Sequence, residues 1–185
     1  AHINAGVCLM GDDVDVPYET WKKTIDIDLS GAYLTAQAAQ QIMREHGHGG
    51  SIIMTSSLSG YNANFIGGGP SPVCAYGTAK AGISQMARYM AAGLAPYGIR
   101  VNAVAPGFVE TEMLDHIPQE QREGYLKSVP MGRFAKPEEV GDAVCTTEMF
   151  SAFAAHYGFA YSKLLCMSTC FFRLRFQPSI VFFQE

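Results

Sequence analysis

Two short runs constrain most of what this chain can fold into. "SIIMTSS" at 51–57 and "IRVNAVAPG" at 99–107 are nearly continuous apolar stretches, the first closing in hydroxyls and the second in a Pro-Gly break. A strand that is apolar throughout is buried on both faces, as strands of parallel sheets are. A helical stretch from about Cys74 to Ala95 lies between the two runs and stops at Pro96. Another, from about Tyr18 to Glu45, precedes the first run. There Trp21, Ile25 and Leu29 recur at i, i+4, and Ala32, Ala36, Ala39 and Met43 continue the apolar stripe. Glycines in "HGHGG" end that helix. The opening "AHINAG" reads as the last residues of a buried strand running into a loop. The alternation of helix and strand predicts an α/β fold with a parallel sheet.

The remaining segments are less regular. "GDDVDVPYE" reads as a polar loop and "GYNANFIGGGPSPV" as a Gly/Pro-rich one. Beyond Pro106 the chain reads as loop and short helices, with "KPEEVGDAV" a helix carrying Pro in its first turn and acids beside it. Residues 148–185 hold eight of the eleven phenylalanines without a clear period, so no strand is expected there. The division predicted is a domain over 1–147 and an atypical tail over 148–185.

Net charge is −4 and Lys and Arg are scattered, which argues against a nucleic-acid partner. No apolar run reaches the roughly 18 residues of a membrane span. Cys8, Cys74, Cys145, Cys166 and Cys170 form no CxxC pair and no zinc spacing, "CMSTC" included. They read as reduced, mostly buried thiols of a cytoplasmic protein, with no metal site. The start of the chain, without Met or a basic-then-apolar leader, reads as the inside of a domain whose N-terminus is truncated.

The chemistry sits in "CAYGTAKAGISQ". Tyr76 and Lys80 stand at i and i+4, on one helix face. A tyrosine ionises near pH 10, so work near neutrality needs a downward shift of about three units, roughly 4 kcal/mol. One positive charge at about 4 Å and an effective dielectric near 20 supplies about that much. Lys80 is therefore expected to depress the Tyr76 pKa, and the small residues around it leave room for a flat ligand. Such i, i+4 pairs are common in helices, so spacing alone does not establish a site. Ser57 ends a buried strand, where ligands of α/β sheets bind, though a turn-capping serine is as ordinary and "SSLS" offers more than one. "NAG" at 4–6 is unremarkable turn chemistry by itself. In "PGFVET", Thr111 reads as an N-cap.

Taken in order, "INAG", the helix "WKKTIDIDLSGAYLTAQAA", "SIIMTSS", "YGTAK" and "VNAVAPGFVETEM" resemble the short-chain dehydrogenase/reductase family over about residues 3–145. The resemblance implies a Rossmann-like, doubly wound parallel sheet and an NAD- or NADP-dependent oxidoreductase interconverting an alcohol and a ketone. It implies Tyr76 as acid/base, Lys80 lowering its pKa and holding the nicotinamide ribose, and Ser57 orienting the substrate oxygen. Asn4, Ala5 and Gly6 would line the cofactor, and Pro106, Gly107, Val109 and Thr111 would meet the nicotinamide amide. The two long helices would pair copies of the chain as a homo-oligomer.

The chain departs from the family's pattern in four places. Its glycine-rich TGxxxGxG turn is absent, so the first βαβ units of the sheet are expected to be missing, with the residue that separates NAD from NADP. Asp28 stands where the family usually has asparagine, and is expected at the site. Ser57 and Tyr76 are spaced more widely than usual, and the extra loop puts Asn64 or Phe65 near substrate. After "GDAV" the tail replaces the expected final helix and strand, which makes His156 and Tyr157 poor site residues. Two further readings compete: a noncatalytic chain that keeps the helical interface, and a same-fold epimerase or dehydratase, which "NAG" and "PGFVETEM" disfavour.

Overall fold

The computed structural model describes residues 1–9, 11–63, 65–66, 69–70, 73–115, 117–156 and 164–165. Strand β1 (His2–Ile3) leads through a loop to helix α1 (Tyr18–Thr24), a π-helical turn (Ile25–Ser30) and helix α2 (Gly31–His46). Strand β2 (Gly50–Thr55) follows, then the short strands β3 (Phe65–Ile66) and β4 (Gly69–Pro70), helix α3 (Cys74–Leu94) and strand β5 (Ile99–Val104). Helices α4 (Gln119–Ser128) and α5 (Pro137–His156) and strand β6 (Leu164–Leu165) complete the order.

The main sheet runs β1-β2-β5-β6, and every pairing in it is parallel. In β5, residues 101–104 are buried whichever way they point, so both faces of the sheet are covered, as the apolar runs required. Helix α3 packs on β5 and β2. Ala75, Ala79, Ile83 and Ala87 recur every four residues on its buried face. Three of the four are alanines, so the helix backbone can lie close to the strands. The core gathers Ile3, Ile52, Met54, Ile83, Val101 and Ala103 around Ala32 and Ala36 of α2. Gly47, in the left-handed region at φ 69°, ends α2.

Four expectations are corrected. The predicted helix from Tyr18 to Glu45 is not uniform, because residues 25–30 widen into a π turn. The segment read as loop beyond Gly60 holds an antiparallel β3–β4 pair. The tail contributes a strand, since β6 pairs with Ala103 and Val104 of β5. Two-residue strands carry no sequence period, which is why they were not visible. Of the cysteines, Cys8 is half-buried but Cys74 and Cys145 are exposed, so burial is not the rule. Cys166, Cys170, Asn64 and Tyr157 lie outside the described residues. No described helix is long and apolar enough to cross a membrane.

Candidate active site

The site forms where β1, β2 and β5 end and α3 begins. Beyond Thr55, Ser57 starts a tight turn over Leu58–Gly60, and its hydroxyl oxygen accepts from the Ser59 amide at 3.2 Å. Gly60 lets this turn lie directly on α3, because a Cβ there would stand 2.7 Å from the Ala81 nitrogen and 2.8 Å from the Lys80 carbonyl carbon. Gly77 serves the same contact from the helix side, with Ser59 O 2.9 Å from where its Cβ would be. Behind the turn, Ser56 Oγ donates to the Lys80 carbonyl oxygen at 2.7 Å and meets Ser84 Oγ at 2.7 Å. Ser57 is thereby brought against the first turn of α3, with its side chain near enough to the Tyr76 phenol to pull the phenol's pKa down.

Lys80 is 3% exposed. Its Nζ donates to the Thr55 carbonyl at 3.1 Å and lies 5.4 Å from the centre of the Tyr76 ring. Asp28, carried inward by the π turn, is fully buried, and its Oδ2 sits 3.6 Å from Lys80 Nζ. That is an ion pair without a hydrogen bond, and Oδ2 has no hydrogen-bond partner among the described residues. Asp28 Oδ1 accepts from the Val7 amide at 2.7 Å. Burial pushes the Lys80 pKa down, with Asp28 opposing. Burial pushes the Asp28 pKa up, with the Val7 amide and Lys80 opposing.

The expected depression of Tyr76 is not found. Burial is the largest influence and pushes the phenol up to about 12, the Ser57 side chain pulls it down, and the negative charges of Cys8 and Asp28 add to the rise. The ammonium that was to lower it is paired with Asp28 and stands 5.4 Å from the centre of the ring. A spacing argument places the lysine but does not reveal what competes for its charge.

Of the other expected residues, Asn4, Ala5 and Gly6 are exposed just beyond β1. Gly6 lies against the ion pair, where a Cβ would be 3.0 Å from Lys80 Nζ and 3.2 Å from Asp28 Oδ2. Pro106, Gly107 and Val109 are half-buried beyond β5, and the Pro106 carbonyl accepts from the Leu58 amide at 2.9 Å, which ties this loop to the serine turn. Val109 bridges to Ala135. Thr111 occupies the N-cap position of the turn Glu112–Leu114 but its side chain makes no capping bond, contrary to expectation; its hydroxyl leans to Val109 O at 3.5 Å. Phe108 stacks on Tyr125 of α4 at 4.7 Å between ring centres, with Phe134 5.7 Å away, walling this side.

Sequence reasoning missed Asp12, which lies in the loop read only as polar. It is 1% exposed, and its two carboxylate oxygens accept the Ala75 and Tyr76 amides at 2.7 and 2.8 Å. The one available signal was that α3 starts without a capping residue or an acid of its own.

The family model described as enoyl-(acyl carrier protein) reductase matches residues 1–147. The chain is 38% identical over 143 residues to L-rhamnose 1-dehydrogenase (NAD(P)(+)) of Azotobacter vinelandii, covering 76% of this chain and 54% of that one. It is 38% identical over 142 residues to a probable NADP-dependent mannitol dehydrogenase of Yarrowia lipolytica, covering 76% and 49%. Among solved structures, a short-chain type dehydrogenase/reductase from Mycobacterium marinum superposes with a TM-score of 0.74 at 34% identity, over 90% of this chain and 62% of that one. The chain spans about half the length of the curated relatives it matches. With the motifs in order, the parallel sheet and these matches, the chain belongs to the short-chain dehydrogenase/reductase family.

Proposed function

We propose that this chain is the catalytic portion of an NAD- or NADP-dependent oxidoreductase that interconverts a secondary alcohol and a ketone, with a sugar or polyol as the substrate class. The observation that carries the reading is the meeting of Ser57, Tyr76 and Lys80 at the carboxyl ends of β2 and β5, the region where ligands of open α/β sheets bind. The substrate class rests on the names of the rhamnose and mannitol relatives.

The residues present suit a nicotinamide ribose. Lys80 has three N–H donors and gives one to Thr55 O. Gly6 leaves the ion pair uncovered by any side chain of its own. Lys80 would hold the ribose hydroxyls, Asn4, Ala5 and Gly6 would line the dinucleotide, and Pro106, Gly107, Val109 and Thr111 would face the amide. When bound, the nicotinamide supplies or accepts the hydride. Ser57 Oγ orients the substrate oxygen and stabilises charge that develops on it. Tyr76 Oη gives that oxygen its proton in reduction and takes it back in oxidation. With its pKa near 12, Tyr76 stands as a phenol at neutral pH, the form that donates.

Partnership with a second copy is part of the same reading. Tyr33, Leu34 and Ile42 of α2 are 47%, 60% and 54% exposed, and Tyr89 of α3 is 74% exposed. Such apolar surface on two long helices suits a helical interface. The same surface keeps a second reading in play, in which the chain pairs with partners and does not turn over.

Titrating NADH and NADPH fluorescence against the chain tests the proposal. Saturable enhancement is expected, and no binding at millimolar cofactor leaves only the noncatalytic reading. In an active form of the protein, Tyr76→Phe should abolish turnover and spare cofactor affinity; turnover at the parent rate means the proton travels elsewhere.

A further inference from the structure

We infer that Asp12 is a positioning residue for Tyr76: its carboxylate caps the first turn of α3 at the Tyr76 amide itself and so sets where the phenol stands. This rests on the reading of Tyr76 as proton carrier.

The first turn of any helix has amides without partners inside the helix. In α3 the residue at the cap position, Val73, offers no side-chain bond, and the first turn contains no acid. Asp12 supplies the missing acceptors from a loop 63 and 64 positions away in sequence. The loop is built to present it. Gly11 turns the chain at φ 75°, and the Asp13 amide donates to Gly11 O at 3.1 Å. Asp13 in turn accepts from the Asp15 and Val16 amides, so Asp13 and Asp15 stay exposed while Asp12 points inward.

Two features make this more than a helix cap. Each carboxylate oxygen takes a different amide, so the carboxylate fixes the rotation of the turn as well as its end. The two amides belong to Ala75, whose side chain is fully buried, and to Tyr76, whose phenol meets Ser57. Gly77, the next residue, is pressed on Ser59 O. The turn is thus held from the loop on one side and from the serine turn on the other. The Val7 amide donates to Asp28, so the same loop is fastened at Val7 to the partner of Lys80 and at Asp12 to the amide of Tyr76.

The test compares variants in the turnover assay above. A misplacement of about 1 Å costs about 100-fold in rate, so Asp12→Ala should lower kcat by about that factor with KM unchanged. Asp12→Asn keeps the shape with one acceptor oxygen and should fall between Asp12→Ala and the parent. Asp12→Ser offers a single oxygen set back by one bond and should recover part of the thermal stability without recovering kcat. A parental kcat in Asp12→Ala overturns the inference, and so does a kcat in Asp12→Ser that returns together with Tm. If Asp12→Ala does not fold, Asp12→Asn decides by the same comparison. Tyr76→Phe alongside separates the failures: parental turnover there removes the role of Tyr76. Hydrogen exchange at the Ala75 and Tyr76 amides then judges the clamp in the chain itself. Faster exchange at these two, with Ile83 unchanged, in Asp12→Asn supports it, and unchanged protection overturns it.

Discussion

Lys80 Nζ lies 3.6 Å from Asp28 Oδ2, and the two are buried together. Their charges are disfavoured by burial and offset by each other, which leaves Tyr76 without the positive neighbour that its spacing from Lys80 suggested. Asp28 adds to the rise of the Tyr76 pKa that burial begins.

Asp28→Asn should therefore lower the Tyr76 pKa somewhat from about 12, because Asp28 contributes to the rise while burial, its largest cause, remains. Tyrosinate absorbance, read as the difference with and without Tyr76→Phe, measures it, and the alkaline limb of alcohol oxidation should move to lower pH with it. Breaking a buried pair costs about 3–5 kcal/mol where the remaining charge stays buried, so the variant should also melt lower. An unmoved phenol titration would show that Asp28 does not govern the site.

Gly60→Ala should disturb the site from behind. A Cβ there meets backbone, at 2.7 Å from the Ala81 nitrogen, and backbone cannot swing aside. Overpacking of this kind costs about 1–3 kcal/mol. The serine turn should also shift from Tyr76, so kcat should fall further than Tm alone accounts for. Chemical denaturation and turnover measured on one preparation check both.

Ser56→Ala removes a buried hydroxyl from the Lys80 carbonyl, which still receives Ser84 Oγ at 3.2 Å. Because one donor remains, the loss should fall at the low end of the roughly 1–3 kcal/mol cost of a buried unsatisfied group. Equilibrium urea unfolding gives the value.

Glu139, the third residue of α5, accepts the Lys136 amide at 2.8 Å and pairs with Arg133 through both oxygens, which holds its pKa down from 4.5 to about 2. A depressed carboxyl stabilises the fold above its unfolded value and loses that contribution as pH falls. Stability from this group should be complete above pH 4.5 and gone near pH 2. In Glu139→Gln the melting temperature should depend less steeply on pH across that window, which a pH series of melts reads directly.

The elements that carry the site were legible because each has a long, one-sided pattern. β2 and β5 are continuous apolar runs, and α3 is bounded by Cys74 and Pro96. The Tyr76–Lys80 spacing was visible in the same way, but choosing it as a site, and Ser57 among the serines of "SSLS", took the resemblance to the family. The π turn was not legible, since "IDIDLS" differs from an α-helix in one backbone register and in no residue preference. β6 was hidden because two leucines in an apolar tail carry no period. Asp12 and the competition for Lys80 depend on contacts between distant positions, which local composition does not encode.

The serine turn and α3 touch backbone to backbone at Gly60 and are bonded through Ser56 to the Lys80 carbonyl. Thermal breathing must then carry Ser57, Tyr76 and Lys80 along as one rigid block. On the other side, beyond β5, Phe108 stacks on Tyr125 and tilts against Phe134, contacts between side chains and not between backbones.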